Sequence, residues 1–299
     1  MRHPTFALLE NRGLIRIAGP EATHFLQNLV TCDIDKVDAS GAGFGALLTP
    51  QGKILFDFLI FKTADGYLLD SPRDTLADLA KRLTFYRLRA KVEIEALSED
   101  QGIVASWGGD LTSGIPGQTI TDPRLAALGN RHAGPVHDIC KALEAAGALP
   151  ASREDYASHR IGFAVPESLS DYAYSDIFPH DADMDQLNGV SFTKGCYVGQ
   201  EVVSRMQHRA TARKRMISVR AADPLPAAGT EILADGKPVG TLGSSTDVGD
   251  SHLGIALVRL DKAKAARDKG ADFVCADVPV DLVLPDWAGF GWPESADTD

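Results

Sequence analysis

Eight consecutive residues, Lys194-Gly195-Cys196-Tyr197-Val198-Gly199-Gln200-Glu201, concentrate groups able to do chemistry. Gly195 and Gly199 bracket Cys196, and glycine's access to positive φ suggests a loop whose backbone can approach another surface. Beyond it, Val202, Val203 and Met206 fall on one helical face, with Gln200, Glu201, Ser204, Arg205 and His208 on the others. A thiol just ahead of a helix N-terminus, with an ammonium two residues away at Lys194, is biased toward thiolate, the nucleophilic and metal-binding form. On spacing alone a small buried hydrophobe is an equal reading of Cys196. The density of hydrogen-bonding side chains around it tips the choice toward a reactive thiol.

The other cysteines, Cys32, Cys140 and Cys275, lie far from Cys196 and from one another, and no C-x-x-C pair exists. This argues against a zinc site, against a resident iron–sulfur cluster held by three or four thiolates, and against a disulfide framework. No metal site is expected. A cysteine hydrolase pairing Cys196 with His208 or His24 is a weaker reading, because the loop and helical turns separate Cys196 from His208 and no protease signature accompanies it.

The elements that must position this loop follow from periodicity. Strands are predicted over Arg12–Ala18, Phe44–Leu48, Ile54–Phe61, Tyr67–Asp70, Lys91–Leu97 and Gly102–Trp107, with Thr49–Lys53 as a Pro/Gly turn. Helices are predicted from Gly19-Pro20-Glu21, from Ser71-Pro72 through about Tyr86, and over His137–Ala146 and Ser152–Arg160. After Lys214 the chain turns to short strands at Met216–Val219, Glu231–Ala234, Val239–Ser244, Leu253–Leu260 and within Asp272–Leu284, interrupted by a helix over Asp261–Lys269. That spacing predicts a small antiparallel barrel. The fold class is α+β with mainly antiparallel sheets. The expected division is 1–212, a barrel over 213–287 and an acidic tail over 288–299.

The octapeptide, read as Lys-Gly-Cys-Tyr-x-Gly-Gln-Glu, resembles the signature of the YgfZ-type proteins, folate-binding factors for iron–sulfur protein maturation. Their fold relatives are the glycine cleavage T-protein and dimethylglycine oxidase. The resemblance implies a T-protein-like fold, tetrahydrofolate or a reduced derivative as ligand, and iron–sulfur client proteins or assembly factors as partners. It implies that Asp57, the lone acid in its strand, aligns with one member of an acidic pair near the folate's reactive nitrogen; Phe56 stands beside it here, so the pair is not intact. It also implies that Arg160 contacts folate, with a surface helix arginine as the alternative, and that Thr121-Asp122-Pro123-Arg124 is a recurrent segment.

Reduced folate asks for acids at its pterin edge, flat walls and cations for its tail. Asp57 and Glu201 are the candidate acids, Phe56, Tyr197 and Phe192 the walls, and Arg160, Arg205 and Lys194 the cations, with Gln200 as a further polar contact. Cys196, Lys194 and Asp57 are the candidate reacting groups. The function expected is a folate-dependent factor for cluster assembly or repair acting through the Cys196 loop. The alternative is a one-carbon transferase acting on a protein or tRNA.

A net charge of −11 disfavours stable DNA binding. The basic run Arg205, His208, Arg209, Arg213, Lys214 and Arg215 leaves tRNA as a local exception or is a solvated face. No apolar run suits a bilayer and no secretory h-region is present, so a cytoplasmic protein without membrane attachment is expected. The acidic segment Ser175–Leu187 reads as a loop in which His180 is either a metal ligand or, as is commoner, an exposed histidine.

Overall fold

The computed structural model describes residues 3–208 and 212–293. The chain divides into two compact units, one of residues 1–156 with 187–200, the other of 157–186 with 201–299, so the chain enters the second unit twice.

In the first unit the elements run β1 (Thr5–Leu8), β2 (Arg12–Ala18), α1 (Ala22–Gln27), α2 (Ile34–Ser40), β3 (Ala42–Leu48), β4 (Ile54–Lys62), β5 (Gly66–Pro72), α3 (Leu76–Arg87), β6 (Glu93–Ala96), β7 (Gln101–Trp107), β8 (Gln118–Thr121), β9 (Asn130–Pro135), α4 (Val136–Ala145) and β10 (Leu149–Pro150). They form two sheets, ordered β3-β4-β5-β2-β6 and β10-β1-β7-β9-β8. Every pairing is antiparallel except β1 with β10. The apolar runs in β4 and β5 are explained by burial over nearly their whole length.

Helix α2 escapes a reading based on apolar periodicity because it is one short amphipathic stretch. Its start is nonetheless written in the sequence, since Asp33 caps it by accepting from the Asp35 N–H and Gly41 closes it at φ +83. Pro20 precedes α1 instead of lying in its first turn, and Ser71-Pro72 finish strand β5 instead of capping a helix. Strands β1, β8, β9 and β10 are additions to the expected set.

The chain passes to the second unit within α5 (Arg153–Gly162), returns to the first between residues 186 and 187, and leaves it again at the start of α6 (Gln200–His208). The second unit continues with β11 (Lys214–Ala221), β12 (Glu231–Ala234), β13 (Lys237–Val248), β14 (Ser251–Arg259), α7 (Leu260–Asp268), β15 (Phe273–Cys275), β16 (Val278–Pro279) and β17 (Asp281–Val283). The strands form an antiparallel sheet ordered β16-β15-β12-β13-β14-β11-β17, around Ile217, Ile232, Val258, Phe273 and Leu282. This is the small C-terminal barrel that the strand spacing predicts. Among the described residues no helix is long and apolar enough to cross a membrane.

The 175–187 segment differs from expectation. It is irregular but buried: His180, Asp181 and Asp183 are all nearly inaccessible. Arg215 explains how acids survive there, bridging to Asp185 at 2.5 Å and Asp183 at 3.3 Å while donating to the His180 carbonyl at 2.8 Å. Burial still drives the Asp183 carboxyl well above the usual range. His180 is therefore an interior residue, its Nε2 donating to Gln207 Oε1 at 3.0 Å.

Candidate functional site

The signature loop belongs to the first unit and is fastened at two places, one on strand β3 and one on the turn that follows it. The first foot is built on Thr31, in the turn between α1 and α2. The Thr31 hydroxyl donates to the Gly189 carbonyl at 2.6 Å and accepts from the Ala46 N–H of β3 at 2.9 Å. Its own backbone pairs with Ala46 and receives the Ser191 N–H. One buried hydroxyl thus ties strand, turn and loop together.

The second foot is Gly199. Its φ is +80, and a Cβ there would meet the Thr49 carbonyl oxygen at 2.6 Å and the Gly52 Cα at 3.0 Å. Only glycine lets the loop backbone lie on the β3–β4 turn. Gly195, by contrast, has open space around it, so the two glycines anticipated as close-approach points divide into one that is and one that is not.

Between the feet, Lys194 turns inward. Its Nζ donates to the Val30 carbonyl at 2.8 Å and the Cys32 carbonyl at 2.7 Å, and stands 5.4 Å from the centroid of the buried Tyr197 ring. Burial lowers its pKa to about 8, against the opposing pull of Cys32, Asp33 and Asp35. The expectation that this ammonium sits beside the Cys196 thiol is corrected by these bonds: the lysine braces the loop from below. The Gln200 side-chain amide donates back to the Gly195 carbonyl at 3.4 Å.

Cys196 itself is exposed. The other three cysteines are not available in the same way. Cys32 is buried with its Sγ where a Cβ on Gly45 would touch it at 2.6 Å, and burial pushes its thiol up to about 12 although Lys194 draws it down. Cys275 lies in the barrel core and Cys140 is half-buried on α4, each with its thiol raised by burial. One accessible sulfur on a braced loop is what the arrangement offers, and it can attack an electrophile or supply one metal ligand.

Beside the first foot is a hollow of about 220 Å³ lined by Cys32, Asp33, Lys36, Phe44, Asn188 and Ser191, among others. It was not visible in the sequence, because α2, β3 and the 188–191 segment meet only in the fold.

The remaining expected residues disperse. Asp57 is buried in β4 directly opposite Ala46, which places it on the strand pair that carries the loop; Phe56 beside it is also buried. Tyr197 is a buried support instead of an open wall. In the second unit Arg160 is neither a surface arginine nor a free cation. It is 1% exposed, and its guanidinium donates to Asp171 at 2.8 Å, to the Val165 carbonyl at 2.6 Å and to Ser244 at 3.0 Å. Glu201 and Arg205 pair at 2.7 Å on the exposed side of α6. In the basic run Arg209 lies outside the described residues, Arg213 and Lys214 are exposed, and Arg215 is committed to the buried acids. Among the described residues no cluster of three or more His, Cys, Asp or Glu is arranged to hold a metal ion.

Arg124 belongs to a buried network that sequence reading touched at one point only. Asp70 accepts from Arg12 at 2.5 Å and Arg131 at 3.3 Å, and Asp122 pairs with Arg124 at 2.8 Å and Arg131 at 3.5 Å. The Tyr156 hydroxyl accepts from Arg131 at 2.8 Å. Burial would raise the Asp122 carboxyl, but the two arginines hold it below its ordinary value. No apolar periodicity marks such a network, since its members come from five separate elements and turns.

Comparison with known proteins agrees with this architecture. Residues 213–290 match the family described as CAF17, C-terminal beta-barrel domain. Across 95% of its length the chain is 31% identical to the human "Iron-sulfur cluster assembly factor IBA57, mitochondrial", covering 84% of that protein, and it is 30% identical to the mouse protein of the same name over 96% of this chain and 85% of that one. The aminomethyltransferase T of the glycine cleavage system from Bartonella henselae superposes with a TM-score of 0.75 over 94% of this chain and 85% of that one, at 17% identity, which establishes the shared fold. The expectation of a cytoplasmic protein is overturned by these relatives, which are named mitochondrial.

Proposed function

The chain belongs to the IBA57 family of iron–sulfur cluster assembly factors, and we propose that it serves assembly by presenting the Cys196 sulfur to a cluster carried by a partner protein. The observation that carries this reading is the exposure of Cys196 on a loop fixed at Thr31 and Gly199, with every other cysteine withdrawn from solvent or partly so.

The chemistry follows from ligand counting. A conventional cluster is held by three or four protein ligands, commonly thiolates. This chain offers one, so the remaining ligands belong to the partner, and the cluster is a passing cargo that the loop steadies or receives. The bracing by Lys194 suits this role, because a ligand held in one geometry loses less freedom on engagement than one on a mobile loop.

Tetrahydrofolate is a second, separate proposal. The residues expected to bind it do not assemble around a ligand within either unit. Arg160 is consumed by Asp171, Tyr197 lies under Lys194, and none of the expected folate residues lines the 220 Å³ hollow, itself smaller than the usual 300 to 1,000 Å³ of a small-molecule pocket. Its binding is measured directly: at about one hundred times its dissociation constant it adds roughly 2.7 kcal/mol to unfolding stability, and an unmoved melting temperature dismisses it.

The test of the main reading is complementation of cells lacking the protein, scored by activity of iron–sulfur enzymes. Cys196→Ser is expected to fold with an unchanged melting temperature and to fail. Full support by the serine variant refutes the proposal.

A further inference from the structure

The far end of α3 carries a feature that the signature loop does not use. From Lys81 to Lys91 the chain reads Lys-Arg-Leu-Thr-Phe-Tyr-Arg-Leu-Arg-Ala-Lys, five cations and no acid in a protein of net charge −11. Lys81, Arg82, Arg87, Arg89 and Lys91 are all exposed, and among the described residues none takes part in an ion pair. Between them stand the two most exposed large apolar side chains of the described residues, Phe85 at 70% and Leu88 at 84%.

The backbone at Leu88 makes this exposure costly. Leu88 has φ 48 and ψ −107, at the first central position of a turn closed by the Ala90 N–H donating to the Arg87 carbonyl at 2.8 Å. That is the conformation which a type II′ turn reserves for glycine. A side chain there is strained, and here the residue points into water instead of into a core that would offset the strain.

We propose that this face, the end of α3 and its turn, docks a partner protein through a segment in which carboxylates surround one or two apolar side chains. Charge complementarity identifies the occupant. Phe85 and Leu88 supply an apolar centre and the five cations a rim, the usual anatomy of a small protein interface. A nucleic acid duplex would use the cations but leave both apolar side chains without a role. Two apolar side chains are too few to hold a bilayer, and the acidic remainder of the chain is repelled by anionic lipid.

The experiment uses the full-length protein and a fluorescent peptide with glutamates flanking a central Leu and Phe, followed by anisotropy. Controls are the same peptide with glutamine for glutamate, a short RNA duplex and phosphatidylserine vesicles. The acidic peptide is expected to bind at least tenfold more tightly than its glutamine form, with affinity falling roughly tenfold from low to physiological salt. Arg82→Glu combined with Arg89→Glu removes this binding. Leu88→Gly is the decisive variant: it relieves the turn, so it melts at or above the wild-type temperature while binding falls at least fivefold. Equal binding of the two peptides, unchanged binding by Leu88→Gly, or tighter capture of RNA or vesicles abolished by the same variants overturns the proposal.

Discussion

The side-chain nitrogen of Lys194 lies 2.7 Å from the backbone oxygen of Cys32, joining the one segment that presents a thiol to the turn that buries another. A lysine two residues before a cysteine invites the idea of a cation activating sulfur. The structure spends that cation on backbone oxygens.

Replacing Lys194 with Met leaves the Val30 and Cys32 carbonyls without this donor, a loss of about 1–3 kcal/mol. Denaturant unfolding gives the magnitude, and faster amide exchange confined to 189–200 shows the place. Uniform exchange across the first unit would instead mean that the lysine supports the whole sheet.

Alkylation distinguishes the four thiols. Native protein treated with iodoacetamide at neutral pH is expected to be modified at Cys196 far ahead of Cys32 and Cys275, and Cys196→Ser shifts stability by no more than about 0.5 kcal/mol. Rapid labelling of Cys32, read by mass spectrometry, contradicts the buried environment assigned to it.

The two glycines of the octapeptide give a matched pair. Gly199→Ala places a methyl against the Thr49 carbonyl in a positive-φ conformation and costs about 2–4 kcal/mol, whereas Gly195→Ala, with nothing nearby, stays within about 0.5 kcal/mol. Equal effects from the two would show that Gly199 is not a fixed foot.

Acid titrates a different part of the first unit. His132 is fully buried between Ser106 and Thr119, and burial lowers its pKa to about 4 from an ordinary 6.5. Because the folded pKa is below the unfolded one, the unfolded chain binds the extra proton first. Stability from this group is intact above pH 6.5 and drains away as pH falls toward 4, by up to about 3 kcal/mol. His132→Gln should flatten that part of the stability profile, and an unchanged slope would place the titration elsewhere.

Much of this architecture is legible in the chain. Strand β2 spans the residues that alternation picks out, α4 and α5 lie within one or two residues of their expected bounds, and the change to short strands after Lys214 marks the barrel. What stays hidden depends on long-range partners. Asp70 and Arg131 are 61 residues apart, and the buried position of His180 depends on Arg215 arriving 35 residues later. At the site, the octapeptide names the thiol, but the inward turn of Lys194 and the enclosure of Arg160 depend on carbonyls and carboxylates that no local pattern announces.

Thr31 grips β3 at Ala46 and Gly199 rests just past the end of that strand, at Thr49, three residues on, or roughly 10 Å of extended chain. The hairpin thereby acts as a ruler. A one-residue deletion in this stretch, leaving every loop residue in place, would change the span that the loop must bridge and misplace its sulfur. Tolerance to length changes in β3, more than to substitutions on its surface, is the measure of how strictly delivery depends on distance.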